Sequence, residues 1–307
     1  MTGKCAPVLI ACLIAVYCSA CGRSAQTLVY PDFNPYAISK IVFSDGENHH
    51  IELKRVTCKQ WTVTEKGRVF LADLTAIQSF VNMISVMEKL PAETKPKPGS
   101  PEKCKSTNVR IHANGIYSFN VGKTGANYQS SYIQLDKAKK CVRVKPFFNC
   151  VVNMPLQKWI KKSVFDTDPD TVREILIRHN DSVLLHVSRD KCVTDWTDRL
   201  RPGAAIPNDK VGELYGVLSK IRIHNATAAN AGEMGKSAPP LLEIQVRCAD
   251  NCLSVFKLGE RKNSSFYFAS RSDEETGTLL FSSMWVEKLE RIITDTTGAE
   301  CLILQTK

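Results

Sequence analysis

Val121-Gly-Lys-Thr-Gly contains the Gly-Lys-Thr that ends a phosphate-binding loop, where backbone amides and a lysine wrap the phosphates of a nucleotide. Such a loop needs a glycine five residues before Gly122, and that position is Tyr117. The matching place later in the chain, Leu258-Gly259-Glu260, has no lysine, so Gly122 and Gly259 are expected to be turn residues after a strand. Zinc chemistry would need clustered thiols or imidazoles. Cys248 and Cys252 flank Ala-Asp-Asn and could close a short turn, but no second closely spaced pair accompanies them. His49 and His50 are adjacent, which in a strand turns their rings to opposite faces and suits a solvated turn flank better than a ligand pair. Acid–base or nucleophilic catalysis finds no Gly-x-Ser-x-Gly elbow, and Glu274-Glu275 lie in a polar stretch where both are solvated. The sequence therefore assigns no catalytic, cofactor-binding or metal-binding residue, and a non-enzymatic protein is expected.

Cys21 is the residue with an assignable chemistry. Lys4, an apolar run from Ala6 to Tyr17, and small residues up to Ala20 read as a removable signal peptide over residues 1–20. The apolar run is too short for the roughly 20 residues that a spanning helix needs. Ser19-Ala20-Cys21-Gly22 resembles a bacterial lipobox, in which the cysteine, here Cys21, would be acylated and become the first mature residue, although Cys18 stands where leucine is usual. Cys18-Ser19-Ala20 also satisfies the small-residue rule for ordinary cleavage after Ala20. Lipidation would tether the protein to the cell envelope, on the periplasmic side or at the cell surface, without a spanning helix. Beyond Cys21 an even set of cysteines remains: Cys58, Cys104, Cys141, Cys150, Cys192, Cys248, Cys252 and Cys301. In an oxidising compartment these are compatible with up to four disulfides, in any of 105 pairings.

Positioning such residues requires a folded scaffold, and the composition supplies one. Apolar residues make up 43% of the 307-residue chain and charged residues 23%, which excludes wholesale disorder and a polytopic membrane protein. The length suits about two domains. Charge is unevenly divided: residues 21–165 hold 22 Lys+Arg against 10 Asp+Glu, whereas residues 166–307 hold 18 against 21. The basic half could face an anionic membrane, the acidic half, or an acidic partner. The densest basic runs, Lys137 to Lys145 and Lys158-Trp-Ile-Lys-Lys, lack a nucleic-acid-binding module around them and are expected to be solvated faces.

The elements themselves recur. Lys40-Ile-Val-Phe-Ser, His50-Ile-Glu-Leu-Lys-Arg-Val and Trp61-Thr-Val-Thr read as strands. From Asp73 to Leu90, Leu74, Ile77, Phe80, Val81, Ile84 and Met87 fall at helical spacing, with Asp73 as cap and Pro91 beyond the end. About 134 residues later come Glu174-Ile-Leu-Ile-Arg, Ser182-Val-Leu-Leu-His-Val, Trp196, and a second helical pattern through Val211, Leu214, Leu218 and Ile221. Trp61 matches Trp196, and core packing of a strand against the following helix is expected of both. The second parts match too. Asn108-Val-Arg-Ile-His, Tyr117 to Gly122 and Ser131-Tyr-Ile-Gln-Leu correspond to Leu242-Glu-Ile-Gln-Val, Leu253 to Gly259 and Ser265-Phe-Tyr-Phe-Ala. Each half closes with a strand and a helical segment, near Phe148–Val164 and Ser282–Thr294. The expected fold is α+β, a tandem duplication of a unit with short, mostly antiparallel strands and two helices, covering residues 21–165 and 166–307 with the boundary in Asp166-Thr-Asp-Pro-Asp. The polar segments Pro91–Lys103 and Asn225–Pro240 occupy corresponding places and are expected to be surface insertions.

This order of strands, Trp, acid-capped helix, Gly-ended strand and aromatic strand resembles a bacterial family of tandem domains of unknown function. Its members are secreted or lipid-anchored and associated with gliding-type ABC transporter auxiliary components. The resemblance covers both halves and implies an auxiliary role at an ABC-type transport assembly, with no catalytic residues to carry over. The expected function is thus a non-enzymatic extracytoplasmic lipoprotein that binds a protein or envelope component, held to the membrane through Cys21, with no cofactor, no metal and no nucleic acid. A secreted binding module for a small ligand or polysaccharide is the alternative, and an envelope hydrolase ranks last.

Overall fold

A computed structural model describes residues 27–46, 50–91, 107–125, 128–136, 138, 141–190, 195–202, 205–230, 240–271 and 277–298. Residues 1–20, Cys21, Cys104, Cys192, Cys301, His49 and Glu274-Glu275 lie outside them, as do most of Pro91–Lys103 and residues 231–239.

The first half builds strands β1 (Lys40–Ser44), β2 (His50–Arg55), β3 (Trp61–Glu65) and β4 (Arg68–Leu71), then helix α1 (Leu74–Ser85) and the short β5 (Glu88–Lys89). It continues with β6 (Thr107–His112), β7 (Ile116–Thr124), β8 (Ser131–Leu135) and β9 (Val142–Lys145), and closes with the single turns α2 (Asn149–Val152) and α3 (Leu156–Trp159). The second half has β10 (Val172–His179), β11 (Ser182–Ser188), β12 (Trp196–Asp198) and β13 (Ala205–Ile206), then α4 (Asn208–Leu218) and β14 (Asn225–Asn230). Strands β15 (Leu242–Cys248), β16 (Leu253–Asn263), β17 (Phe266–Ser270) and β18 (Gly277–Ser282) lead to α5 (Ser283–Thr297).

The strands form two antiparallel nine-stranded sheets, ordered β4-β3-β2-β1-β6-β7-β8-β9-β5 and β13-β12-β11-β10-β15-β16-β17-β18-β14. Raising each strand number of the first order by nine gives the second. Each sheet is thus two four-stranded meanders joined at β1·β6 or β10·β15, with β5 or β14 added at the edge, and helical structure follows each meander. The fold is β-rich, two similar sheets with few helices.

Alternation explains the strands. Ile41 and Phe43 of β1, Val109 and Ile111 of β6, and Ile244 and Val246 of β15 point to one face and are fully buried, while their neighbours face outward. Tight turns set the register. Lys66-Gly67 joins β3 to β4 and Asn180-Asp181 joins β10 to β11, each with both residues at positive φ, as the right-handed twist of a two-residue hairpin requires.

Helix α1 lays Ile77, Phe80, Val81 and Ile84 on its sheet, and Asp73 caps it by accepting from the N–H groups of Thr75 and Ala76. Phe80 meets Phe43, Phe148 and Trp159 edge-on at 5.1, 6.4 and 6.4 Å, while Trp159 stacks on Phe43 at 5.1 Å. In the second half α4 packs against α5, and Val286, Leu289 and Ile293 of α5 cover the sheet that buries Phe256 and Phe281.

Several expectations are corrected. The helix expected to reach Leu90 ends at Ser85, because Glu88 and Lys89 leave it to pair with β9. The closing helix expected near Phe148–Val164 is two isolated turns followed by extended chain: Pro155 interrupts it and keeps Met154 away from the helical region. The first residues of the Asn225–Pro240 segment form β14, paired with β18, rather than a surface insertion. Gly122 and Gly259 lie inside β7 and β16, not in turns after them. Both fall where the register of the next strand pair slips, after Val121 and after Leu258, so they mark bulges at matching places in the two sheets.

Candidate functional site

The chain leaves the last helical turn of the first half at Trp159 and enters the second sheet at Val172, and the segment between them is fastened to both halves. Ile160 bridges Ala72, and Lys161 N–H donates to Leu71 at 2.9 Å. Two residues on, Ser163 bridges Arg222, and Ile223 N–H donates to the Lys162 carbonyl at 2.8 Å. Ile160, Val164 and Phe165 are buried, and Tyr215 of α4 donates its hydroxyl to the Thr167 carbonyl at 2.7 Å. Burial pushes the Tyr215 phenol above its ordinary pKa. Arg271, at the end of β17, is only 4% exposed and donates through Nη1 to the carbonyls of Lys161 and Ser163.

This linker floors a cleft of about 890 Å³ between the two sheets. Its walls are the β2–β3 turn with Trp61, the entry to α1, Arg222 beyond α4, and the β15–β16 turn from Cys252 to Ser254. The volume falls within the range of sites for small molecules. A hollow of about 370 Å³ on the second sheet, containing Glu243 and Lys257, continues from it through Leu253 and Arg271.

The cleft is basic. Lys59, Lys161, Lys162, Arg222 and Arg271 line it against Asp73 and Asp166. Lys161 pairs with Asp166 at 2.8 Å, and Ser163 Oγ donates to the same carboxylate at 3.3 Å, contacts that order the linker. Desolvation, aided by the charges of Arg271 and Lys158, lowers the Lys162 ammonium below its ordinary pKa. Leu74 and Leu253 stand 43% exposed at the wall, an apolar surface beside the cations.

A second polar cluster lies on the second sheet. Glu174 of β10 receives His186 Nε2 at 2.7 Å and Arg247 Nε at 2.9 Å. Desolvation works to raise the Glu174 carboxyl, but hydrogen bonds from His186 and Arg247, with their charges, outweigh it and hold the carboxyl below its ordinary value.

Trp61 and Trp196 are 5% and 6% exposed, and Arg55 and Arg189 lie over their rings at 5.2 and 5.0 Å. They are packed at equivalent positions, as expected of core residues. Cys248 and Cys252 are not bonded to each other. They face each other across the β15–β16 hairpin, where Cys248 N–H donates to the Cys252 carbonyl at 2.9 Å, and both thiols are free. Cys58 and Cys150 are free as well, whereas Cys141 is disulfide-bonded, so four disulfides do not form. Among the described residues no group of three metal-ligating side chains converges, and no helix is long and apolar enough to cross a membrane.

Sequence reasoning missed the cleft. It placed Lys161 and Lys162 on a solvated face, although their flanking Trp159-Ile160 and Val164-Phe165 were a signal that this stretch is packed. Arg222 and Arg271 carried no local signal, since only the fold brings them to the linker. Compared with known proteins, the chain matches no family model, no curated protein and no solved structure.

Proposed function

We propose that this protein is a non-enzymatic, lipid-anchored extracytoplasmic binding protein, tethered through Cys21 and built as a tandem duplication of an α+β unit. The duplication is supported by the shared strand order, the equivalent Arg–Trp pairs and the bulge glycines at matching positions. The binding role rests on one observation: the linker is stitched to both sheets and floors a basic cleft between them, so that a partner seated there would contact both units at once. The partner is an envelope component, and the family resemblance points to a subunit of an ABC-type transport assembly.

Intact mass of the protein from native membranes, with and without Cys21→Ser, tests the anchor, and crosslinking from the cleft tests the partner. Acyl mass that vanishes in the variant, with capture of one envelope protein that a Lys162 substitution weakens, is the expected result. Unchanged membrane partitioning of Cys21→Ser, together with no captured partner, overturns the reading. The alternative, a secreted module for a small ligand, is favoured by the cleft volume. An unlipidated mass beginning after Ala20 would put it first.

A further inference from the structure

The ionisable side chains of the inter-sheet cleft do not balance, and the imbalance identifies a ligand. Both lining carboxylates are already engaged, Asp73 as the cap of α1 and Asp166 with Lys161. Lys59, Lys162 and Arg222 line the same cleft with no carboxylate partner among the described residues. Lys162 Nζ donates to the His224 carbonyl at 3.1 Å, and Arg222 Nη1 donates to the carbonyls of Ser219 and Ile221 at 2.7 and 2.9 Å, so neutral oxygens orient both cations without cancelling their charge. Burial, and after it the charges of Arg271 and Lys158, holds the Lys162 ammonium below its ordinary pKa, and a bound anion beside it would favour the charged form.

We infer that the cleft binds an oxyanion carrying two or more negative charges, phosphate groups or clustered carboxylates, with Lys59, Lys162 and Arg222 as its counter-charges. The inference rests on the reading of the cleft as the binding site. Three uncompensated cations match a multiply charged group better than a single carboxylate, and lysine and arginine together suit phosphate. Exposed Leu74 and Leu253 would cover an apolar part of the same ligand. Such a group has two sources in an envelope, a free anion or the headgroup of an anionic lipid.

The test uses the full chain carrying Cys21→Ser, so that the anchor contributes nothing. Calorimetric titration with pyrophosphate and with citrate is run beside flotation with vesicles of phosphatidylglycerol or of phosphatidylcholine alone. Saturable, salt-sensitive binding of a free anion, weakened about tenfold or more by Lys162→Gln and severalfold by Lys59→Gln or Arg222→Gln, establishes the site with a free anion as its source. Binding confined to phosphatidylglycerol vesicles and weakened by the same substitutions establishes it with the headgroup as its source. Lys145→Gln, on a strand at the far side of the first sheet, leaves either unchanged, and thermal melts confirm that each variant is folded. No binding of any probe at millimolar concentration overturns the inference, as does binding that the three cleft substitutions leave untouched. Capture of an envelope protein without anion binding would refute this inference alone. Anion binding by a protein that is neither lipidated nor partnered would refute the proposed function and leave the site standing.

Discussion

Arg271→Met is the perturbation that most directly tests whether the linker joins the two sheets. The side chain is 4% exposed and donates through one nitrogen to the carbonyls of Lys161, between the two bridges that hold the linker, and of Ser163, at the second bridge. A hydrogen bond from a charged group contributes about 1.5–3 kcal/mol, and two acceptors sharing one nitrogen are worth less than two full bonds, so the loss is about 2–4 kcal/mol. Methionine fills similar space along the buried stem, which keeps the cavity term small. Removing a charge beside Lys162 returns part of that loss, leaving a net destabilisation of about 2–3 kcal/mol.

Urea unfolding followed by tryptophan fluorescence reads this as a lower midpoint, with an unchanged slope if both sheets unfold together. The same variant should also raise the Lys162 pKa toward that of an ordinary lysine, since Arg271 is the leading charge that lowers it. Amine-selective acetylation across pH measures that shift, which a purely structural effect elsewhere would not produce. An unmoved midpoint together with an unmoved Lys162 titration would refute the stitched linker.

Phe80→Ala should cost about 3–5 kcal/mol by denaturant midpoint, because it opens a void among Phe43, Phe148 and Trp159. Phe281→Ala, buried against Phe256 in the second sheet, should cost a similar amount. Glu174 has a depressed folded pKa, so its contribution is present above the ordinary value of 4.5 and is lost as pH falls through the lower folded value. Glu174→Gln should therefore destabilise the protein at pH 7, with the gap to wild type closing below pH 4.5 in melts across pH. Among the free thiols of the described residues, Cys58, Cys150 and Cys252 are exposed and should react with an alkylating reagent in the native state. Cys248, buried and with its thiol pKa raised by desolvation, should react only after unfolding, as peptide mapping by mass spectrometry would show.

Local chemistry was legible wherever one segment decides the outcome. Asp73 announced the start of α1, and the spacing of Ile77, Phe80, Val81 and Ile84 announced its buried face. What failed did so for identifiable reasons. Met87 continues the helical pattern, yet the residues after it serve a sheet edge that lies across the fold. Gly122 and Gly259 look like turn glycines because a glycine that follows an alternating run reads as its end, and only the partner strand shows that the strand continues past a bulge. Cys248 and Cys252 are directly opposed in a hairpin, but spacing alone cannot say whether opposed thiols are joined.

The sequence by itself determined the alternation of the strands, the cap on α1 and the recurrence of strands, Trp and Gly in both halves, because each depends on neighbours within a few residues. The tertiary structure decided the order of strands in the sheets and the convergence of Lys59, Lys162 and Arg222 on one cleft. Those cations come from three separate segments, and nothing in the period of a helix or a strand records which distant charges will face one another once the linker is fastened between two sheets.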